Sequence, residues 1–160
     1  MSTQKHFKRV KQLGENPKMI FNIGSLGVEA LKKNKTIHKK NLERKLKIKF
    51  RHKNILVTFH SETIFNEMEN IKNLKIFLDS LKELKDTSII FTAPGADFYY
   101  KSIFKEIQKF VKKNSQAYFF KSLGHKNYFS LCKHVDLMIG NSSSGIIEMP
   151  SLKKWTINLG

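Results

Sequence analysis

The sequence predicts an α/β fold, a Rossmann-like parallel sheet with helices on both faces, and two features of its patterning carry that prediction. Short runs rich in β-branched and aromatic residues recur along the chain, and between them apolar residues recur at steps of three and four. Strands alternating with helices build βαβ units, which impose a parallel sheet covered on both faces. A chain of 160 residues makes one such domain, burying roughly 70% of the surface that its unfolded form exposes. The composition, 40% hydrophobic with 13 phenylalanines, supplies the apolar surface for that core and excludes a disordered basic tail.

Taken in order, residues 1–18 read as a polar helical lead-in ending in a turn, and the sheet domain is expected over 19–160. Strands are predicted at MIFNIG (19–24), NILVTFH (54–60), TSIIFTAP (87–94), QAYFF (116–120), VDLMIG (135–140) and KWTINLG (154–160). Ile64, Met68, Ile71, Leu74, Leu78, Leu81 and Leu84 share one face of a helix of about 20 residues. Ile103, Ile107, Phe110 and Val111 do the same in a helix from Asp97 to Lys113, with Asp97 as its N-cap. Shorter helices are expected at Asn127–Lys133 and Ser144–Met149, and no linker or repeat divides the chain.

A net charge of +17 raises the possibility of a nucleic-acid partner, most of all through residues 31–53, where Glu43 is the only acid. Against this, only Arg9, Arg44 and Arg51 are arginines, whereas base and phosphate recognition favours the arginine fork. Most other lysines fall on polar faces of predicted helices, where solvated charge explains them. A basic nucleic-acid-binding module using 31–53 is kept as the alternative reading. No apolar run reaches the ~18 residues that a membrane span needs, and the N-terminal residues lack a signal peptide's apolar middle, so a cytoplasmic protein is expected. The single cysteine, Cys132, reads as a small buried apolar residue, with no disulfide and no metal site.

In open parallel sheets ligands bind outside the carboxyl ends of the strands. Those ends carry His60 in TFHSET, Pro94 and Gly95 in FTAPGAD, Ser122 to Gly124 in FFKSLGHKNY, and the stretch GNSSSGIIE, residues 140–148. The last is the richest. A strand turning through Gly140 and Asn141 into a helix near Ser144 presents unpaired N–H groups to an anion, and serine hydroxyls add donors. Gly145 is expected to let a phosphate approach the backbone. Glu148, one turn beyond Ser144, is placed to accept hydrogen bonds from vicinal ribose hydroxyls. The same residues, taken alone, also fit a polar turn with an N-cap and a carboxylate near the positive end of a helix. His60 alone fits a structural histidine. Neither a Walker motif nor a dinucleotide GxGxxG is present.

The stretches QLGENPKMIFNIGSLG, LVTFH and SLGHKNYFSLCKHVDLMIGNSSSGIIEMPSLKKWTINLG together resemble the C-terminal half of hydrolysing UDP-N-acetylglucosamine 2-epimerases. The likeness runs over essentially the whole chain, and LGENP and GNSSSGIIE are its specific parts. The resemblance implies half of a two-Rossmann-domain fold of the GT-B type, with a UDP-sugar in the cleft between the domains. It implies the diphosphate on Ser142 and Ser143, the ribose on Glu148, His60 on the phosphate or sugar side, and Leu123 beside the uracil. UDP-N-acetylglucosamine or a related UDP-sugar is the implied ligand, with no cofactor. Ser61 stands where the family often has proline, and Gly95 where some members have asparagine.

The implied reaction eliminates UDP after proton removal at C2 and then adds water with inversion there, releasing a 2-epimerised N-acetyl sugar for sialic-acid-type synthesis. Proton transfer of this kind needs positioned carboxylates. In the family these come chiefly from the N-terminal domain, which lies outside this chain, as does a basic residue for the diphosphate. Only Glu62, Asp97 and Glu148 stand near strand ends here, so no catalytic residue is assigned. The chain is expected to be a UDP-binding half, inactive or weakly active alone, which a separately encoded N-terminal half could complete.

Overall fold

The structure, a computed structural model, describes residues 1–95 and 98–159. It divides into two compact units, Met1–Asn34 and Lys35–Gly160. The first holds α1 (Gln4–Gln12), a 3-10 turn at Pro17–Met19 and α2 (Leu26–Lys33). Side-chain oxygens of Thr3 and Ser25 cap the two α-helices by accepting from the N–H groups of His6 and Val28. The strand predicted at 19–24 does not form: after the 3-10 turn the chain runs on without a ladder partner, leaving Phe21 and Ile23 65% and 63% exposed. β-propensity describes fit to a neighbouring strand, and here there is none.

The second unit runs α3 (Lys39–Leu46), β1 (Lys53–Thr58), α4 (Glu67–Lys82), β2 (Thr87–Thr92), α5 (Tyr100–Lys113), β3 (Ala117–Phe120), α6 (Gly124–His134), β4 (Leu137–Gly140), α7 (Ser144–Ser151) and β5 (Trp155–Asn158). The sheet is parallel throughout, in the order β3-β2-β1-β4-β5. Successive strands step outward from β1 to β3, then the chain returns to the other side of β1. Strand order therefore reverses between β1 and β4, and the crevice outside their carboxyl ends is the topological switch point.

Both faces of the sheet are covered. Along β1, Ile55 and Val57 enter one cluster with Leu74, Leu78 and Leu81 of α4 and Ile103, Ile107 and Phe110 of α5. Leu56, between them, enters the other with Leu42 of α3, Leu131 and Cys132 of α6, and Met149 of α7. This alternation is the period of two expected of a strand, read on two buried faces. Truncating a residue such as Leu56, which is fully buried, would cost about 2–5 kcal/mol.

Two helix starts and one further helix differ from the prediction for local reasons. α4 starts at Glu67 because Asn66 and Glu69 form a reciprocal capping box, so Ile64 lies before the helix and is 80% exposed. α5 starts at Tyr100, after Tyr99 in the left-handed region, and the predicted cap Asp97 lies outside the described residues. α3 was not predicted, yet it organises the basic stretch: Leu42, Ile48 and Phe50 are buried, and the Glu43 carboxylate accepts from the Phe50 N–H at 2.8 Å. No helix among the described residues is long and apolar enough to cross a membrane.

At the switch point the last residue of β4 must be glycine. A Cβ on Gly140, where φ is 145°, would stand 1.8 Å from the carbonyl oxygen of Thr58 on β1. Backbone atoms cannot yield as a flexible side chain can. Gly140→Ala is expected to destabilise the domain by about 3 kcal/mol or more, combining strain and overpacking. Urea unfolding followed by circular dichroism measures this; an unchanged midpoint would contradict it.

Candidate functional site

The switch point is built around Asn141. Its side-chain oxygen accepts from the His60 N–H at 2.7 Å, and its amide NH2 donates to the His60 carbonyl at 3.0 Å. One side chain thereby ties the loop after β1 to the loop after β4. The His60 ring is oriented by a third loop, because the Gly95 N–H donates to its Nδ1 at 2.9 Å. A backbone N–H can only donate, so Nδ1 accepts and the ring proton sits on Nε2. Beyond His60 the chain is held by Asn70 of α4, which accepts from the Glu62 N–H and donates to the carbonyls of Glu62, Phe65 and Asn66.

The serine turn follows Asn141 directly. Ser143 occupies the capping position of α7 but makes no side-chain cap, and the N–H groups of Gly145 and Ile146 bond back to the carbonyls of Ser142 and Ser143. Among the described residues the N–H groups of Ser142 and Ser143 and the Ser143 hydroxyl have no partner, while the Ser142 hydroxyl oxygen accepts a long bond, 3.4 Å, from the Ser144 N–H. Donors stand at the start of a helix, as expected. Gly145 has a different reason from the one predicted: its missing Cβ faces β5, where it would meet the Thr156 methyl at 2.7 Å, and Thr156 donates to the Gly145 carbonyl at 2.9 Å. This glycine serves helix-to-sheet packing and leaves the phosphate to the residues before it.

One turn on, Glu148 is half-buried, and its Oε2 is a buried acceptor with no partner among the described residues. A buried carboxylate oxygen left unpaired is costly, so the geometry calls for a donor beyond those that the described residues supply. Behind it, on α6, the Tyr128 phenol lies close to the side chains of Ser144 and Cys132. Burial pushes the Tyr128 phenol above its usual range and the Cys132 thiol up to about 12, and the Glu148 charge adds to both.

Leu123 immediately precedes α6, with its side chain in the core, so only its backbone is left for the contact expected with a base. Its carbonyl accepts from the Asn127 amide at 2.7 Å, while the Asn127 Oδ1 is buried with no partner among the described residues. His60 and Ser142 are thus brought together directly by Asn141, and Glu148 follows on the same helix as the serine turn. Asn141 enters the sequence reading only as part of the turn, and Asn70 and Tyr128 do not enter it. An asparagine directly after a strand-end glycine was the one available signal for Asn141; Asn70 and Tyr128 sit among helical residues and carried none.

The whole chain, residues 1–160, matches the pattern of a family described as UDP-N-acetylglucosamine 2-epimerase. The chain belongs to that family. It is 42% identical over 154 residues to the GDP/UDP-N,N'-diacetylbacillosamine 2-epimerase (hydrolyzing) of Campylobacter jejuni, covering 96% of this chain and 40% of that protein. It is 37% identical over 160 residues to polysialic acid biosynthesis protein P7 of Escherichia coli, covering 99% of this chain and 40% of that protein. The chain therefore spans about 40% of the length of these relatives. Its fold matches the S. aureus MnaA-UDP co-structure with a TM-score of 0.70 at 21% identity, covering 99% of this chain and 40% of the other. The UDP-GlcNAc 2-epimerase of Neisseria meningitidis bound to UDP-GlcNAc gives 0.61 at 20%, covering 98% and 42%. The architecture is that of one Rossmann-like half of a GT-B-type epimerase.

The buried thiol gives a test of how tightly α6 and α7 pack. Cys132 should resist alkylation at pH 8 in the folded protein and react fully in urea; rapid reaction without denaturant would contradict the packing. Its folded-state value lies above the ordinary 9.0, so its contribution to stability is complete below pH 9 and is lost as pH rises toward about 12.

Proposed function

We propose that this chain holds the UDP part of UDP-N-acetylglucosamine or a related UDP-sugar, as the nucleotide-binding half of a hydrolysing 2-epimerase. The diphosphate takes the N–H groups and hydroxyls of Ser142 and Ser143, and the ribose diol donates to Glu148. His60 faces the phosphate or sugar side, and the Leu123 backbone meets the uracil. The observation that carries this reading is the Glu148 Oε2, a buried acceptor that has no partner among the described residues, one helical turn behind donors that likewise have none there. A phosphate against the donors and a vicinal diol against the acceptor satisfy both at once. The Campylobacter relative is named as a hydrolysing epimerase, and the Neisseria structure carries UDP-GlcNAc; both support the reading.

In the proposed reaction a base takes the C2 proton, the C–H electron pair forms the C1=C2 bond, and the C1–O bond breaks to release UDP. Water then adds across the double bond, with the hydroxyl going to C1 and a proton to the opposite face of C2. The serine turn stabilises the charge that develops on the departing diphosphate, an interaction stronger in the transition state than in the substrate. Carboxylates for the two proton transfers are assigned to a second domain, on the same or a separately encoded chain, and this chain without it turns over slowly or not at all.

Thermal unfolding with added nucleotide tests the binding. UDP at 100 times its dissociation constant should stabilise the protein by about 2.7 kcal/mol. Glu148→Ala should weaken binding by about 10- to 100-fold, the loss of a charged hydrogen bond. A folded sample that ignores millimolar UDP would overturn the site. Salt-sensitive binding to nucleic acid, indifferent to Glu148→Ala, would favour the basic-module alternative instead.

A further inference from the structure

We propose that Asn141 is a positioning residue for the terminal phosphate of the nucleotide, its side chain holding His60 against the serine turn so that the two loops meet that phosphate as one unit. The inference rests on the UDP reading above and goes beyond it, giving a role in binding to a residue that neither that reading nor the family match uses. Main-chain pairing between β1 and β4 ends at Thr58 and Gly140, with one last, long bond of 3.3 Å from the Asn141 N–H to the Thr58 carbonyl. Beyond it the two chains part, one running toward α4 and the other into α7. An asparagine amide carries the same C=O and N–H groups as a peptide. Through its bonds of 2.7 and 3.0 Å it meets both main-chain groups of His60, and so carries the junction one step past the ends of the strands.

The use of a side chain here spares main-chain donors. Continued pairing by the main chain would draw the N–H groups after Asn141 onto the β1 side; the amide takes that place, and the N–H groups of Ser142 and Ser143 have no partner among the described residues. One residue thereby leaves the phosphate donors open and sets where His60 stands relative to them. The other anchors of the His60 loop come from elsewhere. Asn70 holds residues 62–66 from α4, and the Gly95 N–H meets the ring from the loop after β2. Asn141 is the anchor that ties His60 to the serine turn. Its loss would leave the His60 N–H and carbonyl to water and let the loop after β1 drift from the phosphate. The contacts proposed for the ribose on Glu148 and for the uracil on Leu123 do not pass through Asn141, so the loss falls on the terminal phosphate.

Calorimetric titration of UDP and UMP against the wild-type chain, Asn141→Ala, His60→Ala, the double variant and Glu148→Ala tests this. Asn141→Ala should weaken UDP about tenfold and UMP much less, so the preference for the diphosphate shrinks. His60→Ala should reduce that preference in the wild-type background and add little to Asn141→Ala, because the histidine is already out of place there. An asparagine with a merely structural role would lower the melting temperature and leave the preference as it was. An unchanged preference, equal losses for the two nucleotides, or additive losses in the double variant would overturn the positioning role. If Asn141→Ala fails to fold, Asn141→Ser, whose shorter side chain cannot span both His60 groups, decides by the same preference. If Glu148→Ala weakens UDP while the Asn141 variants keep the diphosphate preference, only this inference falls; if the wild-type chain binds no UDP, the functional reading falls and takes this with it.

Discussion

The contact between the ends of β1 and β4 is the constraint on which the rest depends. A hypothetical Cβ on Gly140 would lie 1.8 Å from the Thr58 carbonyl oxygen, so the two strands approach as closely as they do only because that atom is missing. The approach brings Asn141 within reach of both backbone groups of His60. It also fixes where α7 begins, since the serine turn leaves β4 one residue after that contact. Loosening the junction would separate the histidine, the serine donors and the carboxylate, which otherwise belong to segments about 80 residues apart in sequence.

The site then follows from two imbalances. Among the described residues, donors at the start of α7 have no acceptors, and an acceptor one turn along has no donor. A folded protein tolerates such unpaired groups where a ligand completes them, and the cost of leaving them unpaired becomes selectivity for the ligand that fits. The +17 charge acts at longer range. It favours the approach of any anion, a nucleotide included, without choosing among them. Much of the basic stretch from 35 to 53 is anchored by Leu42, Ile48, Phe50 and the Glu43 carboxylate, so it is a structural lead into β1 as much as a charged surface.

Much of the sheet was legible because a strand buried on both faces is a short unbroken apolar run, as in ILV of β1 and SIIF of β2. MIFNIG has the same local pattern and forms no strand, because pairing needs a neighbour that no local pattern reveals. α3 was hidden by its lysines: only Leu42 is buried within it, too few apolar positions to show a helical period. The strand order could not be read at all, since it lies in long-range contacts. In the site, the serine turn and Glu148 could be read from spacing, and the resemblance added the base and sugar. The role of Asn141 and the packing role of Gly145 needed three-dimensional partners, His60 and Thr156, that lie elsewhere in the chain.

The central claim is that a nucleoside diphosphate binds at the β1/β4 switch point against the start of α7. Amide nuclear magnetic resonance spectra of the isotope-labelled chain, titrated with UDP, test it most directly. The account predicts shifts concentrated at His60, Asn141 to Gly145 and Glu148, with the outer faces of α4 and α5 unmoved. Saturating UDP that leaves those amides unchanged, or that shifts mainly the lysine-rich segment before β1, would contradict it.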